Sequence, residues 1–146
     1  MRIDLVRLFL SLLVLLGAAA PAAAQLAPRA TVWGGVANLR FGFAAAGAEA
    51  RSHFVSGGGE LIATAPLFGD GVGPVLGTVS GTLHQPDTGG RSLFLRVGML
   101  TNFNPGGQGW FAGAGFERWR SRRVGVRAEV RGGAGAVLIG GGFLFR

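Results

Sequence analysis

The chain has 146 residues, 28 of them glycine, with 49% hydrophobic and 14% charged side chains, and its 14 basic residues, all arginine, outnumber 7 acids for a net charge of +7. So apolar and so weakly charged a composition excludes a disordered chain, and the absence of cysteine excludes a disulfide scaffold or a cysteine-ligated zinc site. The glycines follow no period of three, which excludes collagen, and the length allows one domain.

The first segment reads as an export signal. Arg2 and Arg7 give a basic start around Asp4, Leu8 to Leu16 is almost wholly apolar, Pro21 ends any helix, and Ala22-Ala23-Ala24 offers small residues to a signal peptidase. The apolar run is too short for a spanning helix, which needs roughly 20 residues. A cleavable signal helix is therefore expected at 1–24, with cleavage before Gln25, and a single domain at 25–146. That domain keeps 12 arginines against 6 acids.

Beyond Pro21 the apolar residues recur at period two, the signature of β-strands. From Thr31 the odd positions Trp33, Gly35, Ala37, Leu39, Phe41 and Phe43 form one apolar face, opposite Val32, Gly34, Val36, Asn38, Arg40 and Gly42. The segment from Glu49 to Pro66 reads as extended, but Gly57-Gly58-Gly59 interrupts it, and the apolar face changes parity; a bulge and a loop are both open there. From Val75 the face Val75, Gly77, Val79, Gly81 and Leu83 opposes Leu76, Thr78, Ser80, Thr82 and His84. Next, Leu93, Leu95, Val97 and Met99 oppose Ser92, Arg96 and Gly98, with Phe94 and Leu100 breaking the alternation. Trp110, Ala112, Ala114 and Phe116 oppose Gly113, Gly115 and Glu117, and Val124, Val126, Ala128 and Val130 oppose Gly125, Arg127, Glu129 and Arg131. Val137, Ile139, Gly141, Phe143 and Phe145 form the last apolar face. Turn signals fall at Ala46-Gly47, Gly69 to Pro74, Gln85 to Gly90, Asn104 to Gly107, Arg120 to Arg123 and Gly132-Gly133.

No helix separates these strands, so the sheet is expected to be an antiparallel up-and-down meander. Several runs reach the 9–11 residues of a tilted membrane-spanning strand. The polar faces hold glycine, serine, threonine and a few charges, too few for a water-facing surface. Aromatics sit near the strand ends, as in the girdles of a membrane barrel. The expected fold is all-β: a small transmembrane β-barrel of about eight strands. The alternative is a periplasmic or secreted soluble β-sandwich or open barrel that binds a ligand or partner.

The segment Gly113-Ala-Gly115-Phe-Glu117, a short basic turn, then Gly125-Val-Arg127-Ala-Glu129-Val-Arg131 resembles the final hairpins of small bacterial outer-membrane β-barrels, the opacity-protein-like or OmpA-like group. Gly140, Phe143 and Phe145 have the spacing of the C-terminal signal read by the barrel assembly machinery, although the chain ends in Arg146 and contains no tyrosine. The resemblance implies residence in the outer membrane and assembly through the last strand.

In such a barrel the charged strand faces point inward, where desolvated charges need partners. Arg40, Arg96, Glu117, Arg127, Glu129 and Arg131 are therefore expected to form lumenal ion pairs. Trp33, Trp110, Trp119, Phe143 and Phe145, with Arg120, Arg122 and Arg123, are expected at the lipid interface, the arginines meeting phosphates of lipid or lipopolysaccharide. A basic turn with one tryptophan in an exported chain gives no nucleic-acid site.

The only histidines are His53, beside Ser52, and His84, followed by Asp87 and Ser92. Neither carries the local motif of a lipid A-modifying enzyme, the second alternative, and their spacing with Glu60 and Asp70 makes no metal site. No catalytic residue, metal or cofactor is expected. The function read from the sequence is structural or adhesive, without catalysis.

Overall fold

The computed structural model describes residues 27–103 and 107–146, so the expected signal peptide lies outside the described residues. Eight strands follow in chain order: β1 (Ala27–Ala37), β2 (Phe41–Arg51), β3 (Val55–Pro66), β4 (Val75–His84), β5 (Arg91–Thr101), β6 (Gln108–Trp119), β7 (Val124–Gly133) and β8 (Ala136–Phe145). Each pairs antiparallel with the next, and β1 pairs with β8, so the sheet closes into a barrel without a free edge. A single closed sheet excludes the sandwich alternative. Every strand is 10 to 12 residues long, the length a tilted strand needs to cross a hydrocarbon core.

The uncertain region resolves into the end of β2, a tight turn and β3. Gly57, Gly58 and Gly59 pair without interruption to Ala50, Glu49 and Ala48 on one side and to Gly81, Ser80 and Val79 on the other, so neither bulge nor loop forms there. Two expected turns move. Ala46-Gly47 lies inside β2, where Gly47 is paired with Glu60 and the Glu60 side chain covers it. The first hairpin turns instead at Asn38-Leu39, both with positive φ (50° and 55°), and closes with Arg40 N–H donating to the Ala37 carbonyl at 3.1 Å. The last hairpin turns at Ala134-Gly135, two residues beyond the expected Gly132-Gly133, because Gly133 still pairs with Ala136. Asn38 ties these two turns together: its Oδ1 accepts from Val137 N–H at 2.7 Å.

The wall is inverted relative to a water-soluble barrel. Leu61, Val79, Leu83, Leu93, Leu95, Val97, Ile139 and Phe143 point outward and are exposed, whereas Arg29, Arg96, Arg127, Arg131, Glu49, Glu60, Glu117 and Glu129 point inward and are buried. Glycine makes room for this filling. Phe94 lies across from Gly115, Phe111 from Gly98, and Trp33 from Gly142, and in each pair a Cβ on the glycine would meet the opposing ring or backbone. An eight-stranded barrel has an interior just wide enough for side chains, so each bulky inward residue needs a small one beside it.

Candidate functional site: the charged lumen and its rim

The lumen has three layers. At the end away from the termini, Trp33, Ala37, Phe43, Ala45, Ile62 and Leu138 form an apolar plug, with the Trp33 and Phe43 rings edge to face at 4.7 Å. The middle is a continuous ion-pair chain. Arg131 Nε donates to Glu129 at 2.6 Å and its Nη1 to Glu60 at 2.6 Å. Arg96 links Glu60 and Glu49, each at 3.4 Å. Arg127 Nη2 reaches Glu49 at 3.3 Å and Glu117 at 2.7 Å. Toward the terminal end, Arg29 bridges Glu49 and Glu117, both at 3.2 Å, and Arg51 adds a third guanidinium to Glu117 at 3.1 Å. Five arginines thus meet four glutamates. The third layer is Trp119, whose ring is approached by the guanidiniums of Arg29 at 4.7 Å and Arg146 at 3.8 Å. Burial, and after it the nearby positive charge of Arg29, lowers the pKa of Arg146 below the ordinary guanidinium value.

Aromatic faces complete the cation environment. Arg131 stacks over Trp33 at 4.4 Å and Arg127 over Phe94 at 4.9 Å. Phe94, which broke the alternation in the sequence, therefore sits on the charged side because its ring carries two arginines, the second being Arg96 at 5.7 Å.

Of the residues expected in the lumen, the structure brings together Arg96, Glu117, Arg127, Glu129 and Arg131. Arg40 is not among them: it lies exposed in the β1–β2 turn, past the end of the barrel wall. Arg29, Glu49, Arg51 and Glu60 complete the network and were missed. Arg29 and Glu49 share a parity with Trp33 and Phe43, which were expected to face outward, and Glu60 lies in the region whose parity was unclear.

The interface residues divide. Trp110, Phe143 and Phe145 face outward and are exposed. Trp33 is 3% exposed and faces inward, because the alternation that buries Arg29 and Thr31 on β1 carries it to the same side. Trp119 is also on the inward side, two residues beyond the buried Glu117, with the guanidiniums of Arg29 and Arg146 on its ring. Arg120, Arg122 and Arg123 are exposed in the β6–β7 turn, where Ser121 Oγ accepts from Val124 N–H at 3.0 Å.

The histidine pairings differ from those adjacent in sequence. His84 Nε2 lies 2.8 Å from Ser56 Oγ, not beside Asp87 or Ser92, and its Nδ1 is 3.9 Å from Glu117 Oε2. This order superficially matches a nucleophile, base and acid. The second distance is beyond a hydrogen bond, Ser56 is 2% exposed, and Glu117 already serves three arginines. Ser92 donates to the Gln85 carbonyl, and Ser52 to that of Val55. No group of three metal-ligating side chains occurs among the described residues.

No family model matches the chain, and no curated protein matches it. One solved structure that resembles it comes from the de novo design of transmembrane β-barrels, with a TM-score of 0.67 and 14% sequence identity, covering 83% of this chain and 94% of the design. At that identity the likeness is one of fold: this chain has the closed eight-stranded architecture of a transmembrane β-barrel.

Proposed function

We propose that the protein is an exported, integral outer-membrane β-barrel with a structural or surface-interaction role and no catalytic activity. The observation that carries this reading is the inversion of the wall, with large apolar side chains outward and charges paired inside. Such a surface is unfavourable in water and matches hydrocarbon. The closed ladder satisfies the backbone hydrogen bonds that an open edge would leave bare in lipid. The filled lumen supports a sealed barrel in preference to a pore, so any interaction with an extracellular partner falls to the loops. The apolar residues, glycine and phenylalanines of β8 support the finer assignment to the opacity-protein-like or OmpA-like group and recognition of that strand by the assembly machinery. The buried, ion-paired surroundings of Ser56 and His84 weigh against the alternative of a lipid A-modifying enzyme.

Expression with its leader in a Gram-negative host tests the proposal. The protein should sediment with the outer membrane, resist extraction by alkali, and change gel mobility between unheated and boiled samples. Recovery from the soluble periplasm without detergent would overturn it.

A further inference from the structure

The charges outside the lumen are strongly one-sided. The start of β1, the end of β8 and the β2–β3, β4–β5 and β6–β7 connections lie at one end of the barrel, the terminal end. Among the described residues outside the lumen, that end carries Arg91, Arg118, Arg120, Arg122, Arg123 and Arg146 with Asp87 as its only acid, whereas the opposite end has Arg40 balanced by Asp70. Within the cationic rim, one pair differs from the rest. Arg91 on β5 and Arg118 on β6 are direct cross-strand partners, and each has the outward parity of its strand, Arg91 with Leu93 and Leu95, Arg118 with Phe116 and Ala114. Like charges so placed, with Cβ atoms about 5 Å apart, repel. Neither guanidinium has a carboxylate partner among the described residues, although the lumenal arginines all do.

The next outward pair toward the middle is Leu93 and Phe116, also direct partners. The arginines therefore stand one pleat, about 7 Å along the strands, beyond the apolar band. With the apolar band in the hydrocarbon, the pair stands at the level of the headgroups. Val126 flanks Arg118 on β7, so the pair has apolar wall beneath and beside it. Guanidinium forks match phosphate oxygens better than any other side chain.

We infer that Arg91 and Arg118 together form a binding site for the phosphate of an anionic glycerophospholipid at the terminal-end edge of the membrane band. The inference rests on the proposed membrane residence. It goes further by naming the lipid class, the residues, and the end of the barrel at which the contact is made. The phosphate relieves the repulsion of the pair, while the acyl chains lie on Leu93, Leu95, Phe116 and Ala114. Arg120, Arg122 and Arg123 lie past the strand end and add a positive field without defining the site. Lipid A has the same phosphate chemistry but carries its phosphates at both ends of a disaccharide, and a single adjacent guanidinium pair fits one phosphate.

Native mass spectrometry of the detergent-solubilised, folded barrel tests this, with phosphatidylglycerol, phosphatidylcholine and lipid A as separate probes. Unheated gel mobility of the same sample reports the barrel, so failure of the lipid site is distinguishable from failure of the fold. Phosphatidylglycerol should be retained over phosphatidylcholine, and the R91Q/R118Q double variant should lose roughly 30-fold in its affinity, taking about 1 kcal/mol for each arginine. R40Q, at the opposite end, should change nothing. In the wild type, raising salt should weaken retention, which tests the site even if the double variant folds poorly. Equal retention of both phospholipids, an unaltered double variant, salt-independent binding, or preference for lipid A would overturn the inference.

Discussion

Replacing Glu117 by glutamine keeps the side-chain shape and removes one charge from the most connected point of the lumen. Glu117 is fully buried and accepts from Arg127 at 2.7 Å, Arg51 at 3.1 Å and Arg29 at 3.2 Å. The substitution leaves five inward arginines facing three carboxylates, and one amide NH₂ then points at a guanidinium. Breaking a buried ion pair by removing one partner costs about 3–5 kcal/mol, a large part of the roughly 5–15 kcal/mol that holds an ordinary domain together. The companion change, Arg51→Gln, should cost little, since among the described residues Glu117 is its only ion-pair partner and Glu117 keeps Arg29 and Arg127. Combined with Glu117→Gln, it should recover part of the loss, because it removes one of the unpaired cations. The coupling expected of groups in one network is about 0.5–3 kcal/mol. Urea unfolding of the barrel folded in phospholipid vesicles, followed by tryptophan fluorescence, measures all three variants. A cost below about 1 kcal/mol for Glu117→Gln, or strict additivity with Arg51→Gln, would refute the claim that the network is dry and mutually dependent.

Three further outcomes are expected. Glu129→Ala should destabilise by a similar few kcal/mol in the same unfolding assay, because Arg131 loses both bonds of its fork and Arg96 a third neighbour. Gly142→Val should block closure of β1 against β8, since its Cβ would meet the Val32 carbonyl and the Trp33 side chain; loss of the fast-migrating unheated gel band reports this. Leu39→Gly should stabilise by about 1 kcal/mol, because leucine is held at a φ of 55° in the first turn and is 74% exposed, so little packing is lost; a higher urea midpoint would show it.

The sequence made the second half of the barrel legible and the first half less so, for a physical reason. In β7 the inward residues are all charged or glycine, and in β4 and β6 they are polar, charged or glycine apart from Leu76, Phe111 and Trp119, while the outward ones are mostly apolar, so the alternation reports sidedness directly. In β1 and β2 both faces are apolar for part of their length, since Trp33, Phe43 and Ala45 line the lumenal plug while Val32 and Ala44 meet the outside. Hydrophobicity alone then gives no direction. Arg29 and Glu49, in the same parity as these aromatics, were the signal that fixes it. The tight turn at Asn38-Leu39 was hidden because leucine rarely occupies a left-handed position, and the Ala46-Gly47 pair imitated a turn because a glycine was needed under Glu60. The network could be anticipated in kind from buried charge alone, but its members come from β1, β2, β3, β5, β6 and β7, and only closure of the barrel brings them together.

The central claim is that the outward face of the wall lies in lipid. The chain has no cysteine, so single cysteines at each position from Leu93 to Val97 can carry a nitroxide spin label in the folded, membrane-reconstituted protein. Collision with oxygen, which partitions into hydrocarbon, is compared with collision with a water-soluble nickel complex. The account predicts a period of two, with labels at 93, 95 and 97 reached by oxygen and shielded from nickel, and those at 94 and 96 shielded from both. High nickel accessibility at residues 93, 95 and 97 would place that face in water and contradict the membrane barrel.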